Sequence, residues 1–138
     1  MTTYCIDASG ALSWLLEQGL PAVDEFWTSL LESDELIAAQ LLIPECTSVL
    51  RRAVFLNRLS PDAGRAALEE LLSRPFRSVL DAAQFTRAVE LASQFQHEKA
   101  YDMQYLAVAE ITNSILVTRD RGLRHAATQI GVPVRFLA

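Results

Sequence analysis

The stretch Thr3-Tyr4-Cys5-Ile6-Asp7-Ala8-Ser9-Gly10 decides how the rest of the chain is read. Thr3 to Ile6 form a short apolar strand, and helical spacing begins directly after Asp7, with Ala11, Leu12, Leu15 and Leu16 on one stripe. A carboxylate at the carboxyl end of a buried strand sits in the crevice where open α/β sheets bind ligands and carry out chemistry. Asp7 is therefore the residue around which the other elements are placed.

Outward from it, the first helix should stop near Gly19-Leu20-Pro21, and Pro21 suits the first turn of a second helix bearing Phe26, Trp27, Leu30 and Leu31. A strand at Glu35-Leu36-Ile37-Ala38 follows the Ser33-Asp34 turn. Pro44 fits the first turn of a third helix, which places Glu45 in that turn and Val49, Leu50, Ala53 and Val54 further along. Ser60-Pro61-Asp62 opens a fourth helix that Pro75 ends, and residues 76–80 form a third strand. Asp81 to Gln96 and Tyr101 to Ile111 are two more helices, separated by the polar break Gln96-His97-Glu98-Lys99. Ser114 to Thr118 reads as a buried strand ending at Arg119-Asp120. A last helix covers about Leu123 to Ile130, and Val132 to Phe136 closes as an edge strand that tolerates Pro133. Five strands alternating with helices predict one three-layer α/β/α domain over residues 1–138 with a mainly parallel five-stranded sheet. The Tyr4 strand should be central, with the Ser114 strand beside it.

Composition narrows the chemistry. The longest apolar runs are far too short to cross a bilayer, and no signal sequence precedes the first strand, so the expected compartment is the cytoplasm. Cys5 and Cys46 lie in apolar settings without C-x-x-C spacing and read as small buried hydrophobes. With His97 and His125 the only histidines, any metal must be held mainly by oxygen. A net charge of −5 argues against a protein that coats nucleic acid through bulk positive charge, but not against a nuclease whose acidic centre is masked by a cation.

Four acidic residues stand at or near predicted helix starts: Asp7, Glu45, Asp102 and Asp120. Asp7 and Asp120 each follow a strand, so a parallel sheet brings them to one edge as neighbours. Capping or dipole compensation explains any one of the four taken singly. The strand-end placement of two and the apolar settings of all four mark them as a group. Two carboxylates about 4 Å apart repel by roughly 4 kcal/mol at an effective dielectric of 20. Such a cluster calls for protons or a hard divalent cation, and Mg²⁺, with Mn²⁺ as its close competitor, fits oxygen ligands and a phosphate substrate. The reaction this points to is metal-dependent phosphodiester hydrolysis, which needs no Ser, His or Cys nucleophile.

Asp7-Ala8-Ser9 after a strand, Pro44-Glu45 opening a helix, the run YDMQYLAVAE from Tyr101 to Glu110, and Leu116-Val117-Thr118-Arg119-Asp120 together resemble the PIN-domain family. Size and motifs are most similar to its VapC-type ribonuclease toxins of toxin–antitoxin pairs. The resemblance implies a metal-dependent endoribonuclease, with Asp7, Glu45, Asp102 and Asp120 at the family's four acidic positions, as catalytic residues and metal ligands. Ser9 and Thr118 fall at its small hydroxyl positions beside the site, although local turn bonding also accounts for Ser9. Some members carry another acidic residue two positions after the last aspartate; Gly122 stands there, which favours one tightly bound ion and leaves two open. An RNA substrate, a cognate VapB-type antitoxin docking near Trp14, Phe26 and Trp27, and a homodimer are implied by the same resemblance.

Arg119, Arg121 and Arg124 flank Asp120 and are candidates for RNA phosphate contacts, while the sequence shows no aromatic–basic ladder. Arg51 and Arg52 read as solvated helix-surface residues. Haloacid-dehalogenase-type phosphotransferases also begin with Asp after a first strand but want a second Asp where Ser9 stands. A phosphoacceptor receiver domain needs a Lys near the fifth strand, and the only Lys is Lys99. A PIN-like RNA-processing nuclease without toxin role, or a non-catalytic PIN-like subunit, remain the alternatives.

Overall fold

Strand β1 (Thr3–Ile6) lies at the centre of the sheet in a computed structural model that describes residues 1–138. The chain continues through α1 (Ala8–Leu16), α2 (Pro21–Ser29), β2 (Glu35–Ala39), α3 (Leu42–Phe55), α4 (Pro61–Leu72) and β3 (Arg77–Val79). It then returns through α5 (Ala82–Gln94), α6 (Tyr101–Thr112), β4 (Ile115–Thr118), α7 (Arg121–Gln129) and β5 (Val134–Phe136). The sheet order is β3-β2-β1-β4-β5 and every pairing is parallel. The first half of the chain winds outward from β1 on one side and the second half on the other. The winding therefore reverses between β1 and β4, where Ile6 is in register with Val117. That reversal opens a crevice at the carboxyl ends of the two strands, directly beyond Ile6 and Thr118.

Parallel strands covered on both faces need continuous apolar runs, and Cys5, Ile6, Ile37, Leu116 and Val117 are fully buried. Helices α1 to α4 pack among themselves, as do α5 to α7, giving the three layers. Helix α6 lacks a sharp polar face because it lies against β1, β2 and β4, with Met103 and Tyr105 to Ala109 all buried. The edge strands β3 and β5 are only three residues long, which leaves little unpaired backbone for another chain to extend. No helix is long and apolar enough to cross a membrane.

Several boundaries differ from those read off the sequence. Helix α2 stops at Ser29, short of Leu30 and Leu31, where Leu30 turns to extended backbone, and β3 is trimmed to Arg77–Val79. One end of each of β2, α6 and β4 shifts by one residue, and four more boundaries have a definite cause. Helix α3 begins at Leu42, because Pro44 at its third position gives up only an N–H that has no intrahelical partner. Helix α5 ends at Gln94; Phe95 caps it and Gln96 takes a left-handed conformation with φ 57°. Helix α7 begins at Arg121, two residues early, because Asp120 caps it through Leu123 N. Strand β5 begins at Val134 because the Val132 amide donates back to Ala127 O.

Gly10 is what allows α1 to sit so near the crevice. A Cβ at this position would lie 2.8 Å from both Ile6 Cγ1 and the backbone oxygen of Val117. Gly10→Ala should destabilise the fold by about 1–3 kcal/mol, as overpacking does. The expected readout is a melting temperature lowered by several degrees; an unchanged melting curve would show that α1 can move away from β4.

Candidate active site

Asp7 is the N-cap of α1 and is only 5% exposed. Its Oδ1 accepts from Gly10 N at 2.8 Å and from Ser9 Oγ at 2.7 Å, and its Oδ2 accepts a short bond from Thr118 Oγ1. Thr118 Oγ1 in turn accepts from Asp120 N at 2.9 Å, while Ser9 Oγ accepts from Arg119 N at the same distance. Two hydroxyls thus tie the end of β1 to the end of β4. Burial nevertheless dominates the electrostatics of Asp7. It pushes the carboxyl from its ordinary 3.8 up to about 6, against the lowering by the Thr118, Gly10 and Ser9 bonds and with a further upward push from Asp120.

The other acidic residues arrive from three different elements. Asp120 caps α7, its Oδ1 accepting from Leu123 N at 2.8 Å. Glu45 lies in the first turn of α3 and is held by Tyr105 Oη, which donates to its Oε2 at 3.1 Å. Asp102 lies in the first turn of α6, three residues before Tyr105, so one helix both presents a carboxylate and anchors another. Burial raises the pKa of Glu45 despite the Tyr105 bond, and the charges of Asp102 and Asp7 raise it further. Asp102 is raised by burial and then by the charge of Asp120, with His97 opposing. Asp7, Glu45, Asp102 and Asp120 all line a single cleft of about 330 Å³.

Neither cysteine competes for this chemistry. Burial pushes the Cys46 thiol up to about 12 and the Cys5 thiol higher still, and both histidines are exposed. Of the three arginines near Asp120, only Arg119 lines the cleft. Its guanidinium is held by Glu17 Oε1 at 3.0 Å and donates from Nε to the backbone oxygen of Leu137. Arg124 instead lies over the Phe136 ring, 4.1 Å from its centroid, and Arg121 is exposed outside the cleft. The sequence marks neither Tyr105 nor Glu17 as part of the site. The i, i+3 spacing of Asp102 and Tyr105 on one helix was the available signal for the first, and nothing local marked the second.

The donor set suits a hard cation because it is all oxygen and gathers four carboxylates in one cleft. Only Asp7 is buried: Glu45 is half-buried, and Asp102 and Asp120 are exposed at the mouth, so the apolar settings expected for all four hold for Asp7 alone. No three His, Cys, Asp or Glu side chains converge tightly enough to surround an ion by themselves. A Mg²⁺ site of one or two carboxylates completed by water and substrate oxygen is compatible with that spacing. The position where another acidic residue could stand is Gly122, whose Cβ would be 3.2 Å from Asp120 Oδ1.

A parallel α/β domain with acidic side chains gathered at its switch point describes several classes of phosphoryl-handling protein, and comparison with known proteins narrows the choice. The PIN domain family model matches residues 4–129, and the chain belongs to the PIN-domain family. It is 32% identical over 115 residues to ribonuclease VapC9 of Mycobacterium tuberculosis, covering 83% of this chain and 84% of that protein. Among solved structures it resembles VapBC2 from Rickettsia felis bound to a promoter DNA fragment. The TM-score there is 0.70 at 12% identity, over 96% of this chain and 97% of that one. It also resembles VapC20 of M. tuberculosis, a Sarcin-Ricin loop cleaving toxin, with a TM-score of 0.63 at 19% identity over 89% and 94% of the two chains.

The raised pKa of Asp7 has a direct consequence for stability. Between its ordinary 3.8 and about 6 the folded chain holds a proton that the unfolded chain has released, so stability falls as pH rises through that window. Above it, the ionised carboxylate costs on the order of 3 kcal/mol. In EDTA at pH 7.5, Asp7→Asn should therefore melt several degrees above the parent, with the gap closing toward pH 4. Mn²⁺ should raise the melting temperature of the parent more than that of the variant. Equal melting temperatures at pH 7.5 would show that the site already offsets the buried charge.

Proposed function

We propose that this chain is a divalent-metal-dependent endoribonuclease that acts in the cytoplasm as the toxin of a toxin–antitoxin pair. The observation that carries the reading is the convergence of Asp7, Glu45, Asp102 and Asp120 on one cleft at the switch point. Kinship with ribonuclease VapC9 supports RNA as the substrate. In this reading the cleft of Asp7, Asp102, Asp120 and Glu45 would hold Mg²⁺ or Mn²⁺, with one or two of these carboxylates bound directly and the others through water. Such an ion, held there, would supply Lewis-acid polarisation of the scissile phosphate and lower the pKa of a bound water.

The residues of the chain divide the remaining work. Ser9, Gly10 and Thr118 fix both oxygens of Asp7, so it need not reorganise during reaction. Glu45 is oriented by the bond from Tyr105, which keeps its carboxylate at the cleft wall facing the place of the attacking water. Arg119, held by Glu17 at the cleft wall, meets a phosphate oxygen.

An apolar groove between α1 and α4, lined by Trp14, Leu15, Leu59, Ala63 and Ala66, is the place for an apolar segment of a VapB-type antitoxin. The VapBC2 structure of R. felis supports a partner of that kind, and a homodimer rests on the family resemblance alone.

Purified protein should cut single-stranded RNA in Mg²⁺ or Mn²⁺ and lose the activity in EDTA. Asp7→Asn and Asp102→Asn should lower the rate by about two to three orders of magnitude while remaining folded. Undiminished cleavage by both variants would remove the cleft from the mechanism. Expression should arrest growth, and co-expression of an antitoxin should restore it; a host unaffected by the active nuclease would favour an RNA-processing role.

A further inference from the structure

Two further clefts continue from the acidic one. The first includes Ser48, Lys99 and Tyr101 and shares Glu45 and Asp102 with the acidic cleft. The next includes Arg51, Arg52 and Phe55 and shares Ser48 with the first. On α3, Glu45, Ser48, Arg52 and Phe55 follow at i, i+3, i+7 and i+10, so they share one side of the helix over about 15 Å. Phe55 and Tyr101, at 69% and 59%, are the most exposed aromatic rings of the chain. Arg51 lies 5.6 Å from the centroid of the Phe55 ring. Arg51, Arg52 and Lys99 are all exposed, and none of them belongs to an ion pair. The aromatic–basic ladder that the sequence does not show as a run is thus assembled from α3 and the start of α6.

We propose that this strip, from Lys99 and Tyr101 across Ser48 to Arg51, Arg52 and Phe55, binds the single-stranded RNA leading away from the scissile phosphate. The proposal rests on the ribonuclease reading and extends it to how the substrate is held. A chain of net charge −5 with four carboxylates in its cleft repels a polyanion, so the uncommitted cations are most useful where they border that cleft. Arg51 and Arg52 meet phosphates, while Tyr101 and Phe55 offer faces on which unpaired bases stack. Bases must be free of a duplex to reach these rings, which selects single strands, loops or bulges.

The test is fluorescence anisotropy in EDTA with labelled RNAs of increasing length and protein carrying Asp7→Asn, conditions under which cutting is too slow to disturb the binding reading. Adding Arg51→Glu and Arg52→Glu should weaken binding by about tenfold or more and flatten the salt dependence by one to two phosphate contacts. Phe55→Ala and Tyr101→Ala should each weaken it by about fivefold or more with the salt slope kept. Both losses should grow with RNA length. Equal affinity of parent and charge-reversed protein at every length overturns the proposal. So does a loss that tracks conversion of dimer to monomer in sedimentation, which would assign the strip to a second copy of the chain. A parent that neither binds nor cuts RNA overturns the ribonuclease reading itself, whereas cutting that is indifferent to these variants overturns the strip alone.

Discussion

Asp7 must be ionised to bind a cation, and it sits where ionisation costs most. Its carboxylate is nearly enclosed by α1, β1 and β4, and three hydrogen bonds only partly offset the lost hydration. Much nearby structure serves that arrangement. Gly10 lets the amino end of α1 approach the strands, Thr118 and Ser9 supply hydroxyls from the two sides of the switch point, and the β1–β4 register aligns them. The same enclosure makes an ion attractive, because a charge expensive to bury unpaired is stabilised by one of opposite sign.

The fold was open to sequence reading because each strand is a short apolar run beside a clear stop. The strand ending at Ile6 and the strand ending at Thr118 both lead into an aspartate that caps the following helix, and their parallel pairing was inferable from alternation of elements. Errors of a few residues arose where backbone bonds decide the ends, as at Val132, whose amide answers to α7 instead of a strand. The gathering of four acidic side chains in one cleft was expected from strand ends and family resemblance together. Their supporting contacts were less accessible, since Tyr105 reaches Glu45 across 60 positions and Glu17 reaches Arg119 across the cleft wall. Such pairings depend on how α6 lies against α3, which no local pattern specifies.

Positive charge illustrates the same limit. Three arginines adjoining Asp120 in sequence looked equivalent, yet one lines the cleft, one stacks on Phe136 and one is exposed outside it. Cations distant in sequence, on α3 and before α6, are the ones that border the second cleft and its extension. Helix packing, more than sequence adjacency, redistributes a small stock of basic residues around an acidic centre.

The two tryptophans of the chain, Trp14 and Trp27, lie 6.1 Å apart between ring centroids. The guanidinium of Arg74 sits 3.9 Å from the first ring centroid and 5.6 Å from the second, and Trp27 Nε1 donates to Ser13 Oγ. Trp14 also lines the groove between α1 and α4, whereas neither indole borders the cleft or the strip beside α3. Trp14 is therefore a label-free optical reporter of the groove, while Trp27 senses the cleft wall through its bond to Ser13. Together the two indoles would distinguish a ligand settling into the groove from one entering the cleft, which adjoins it at Leu16.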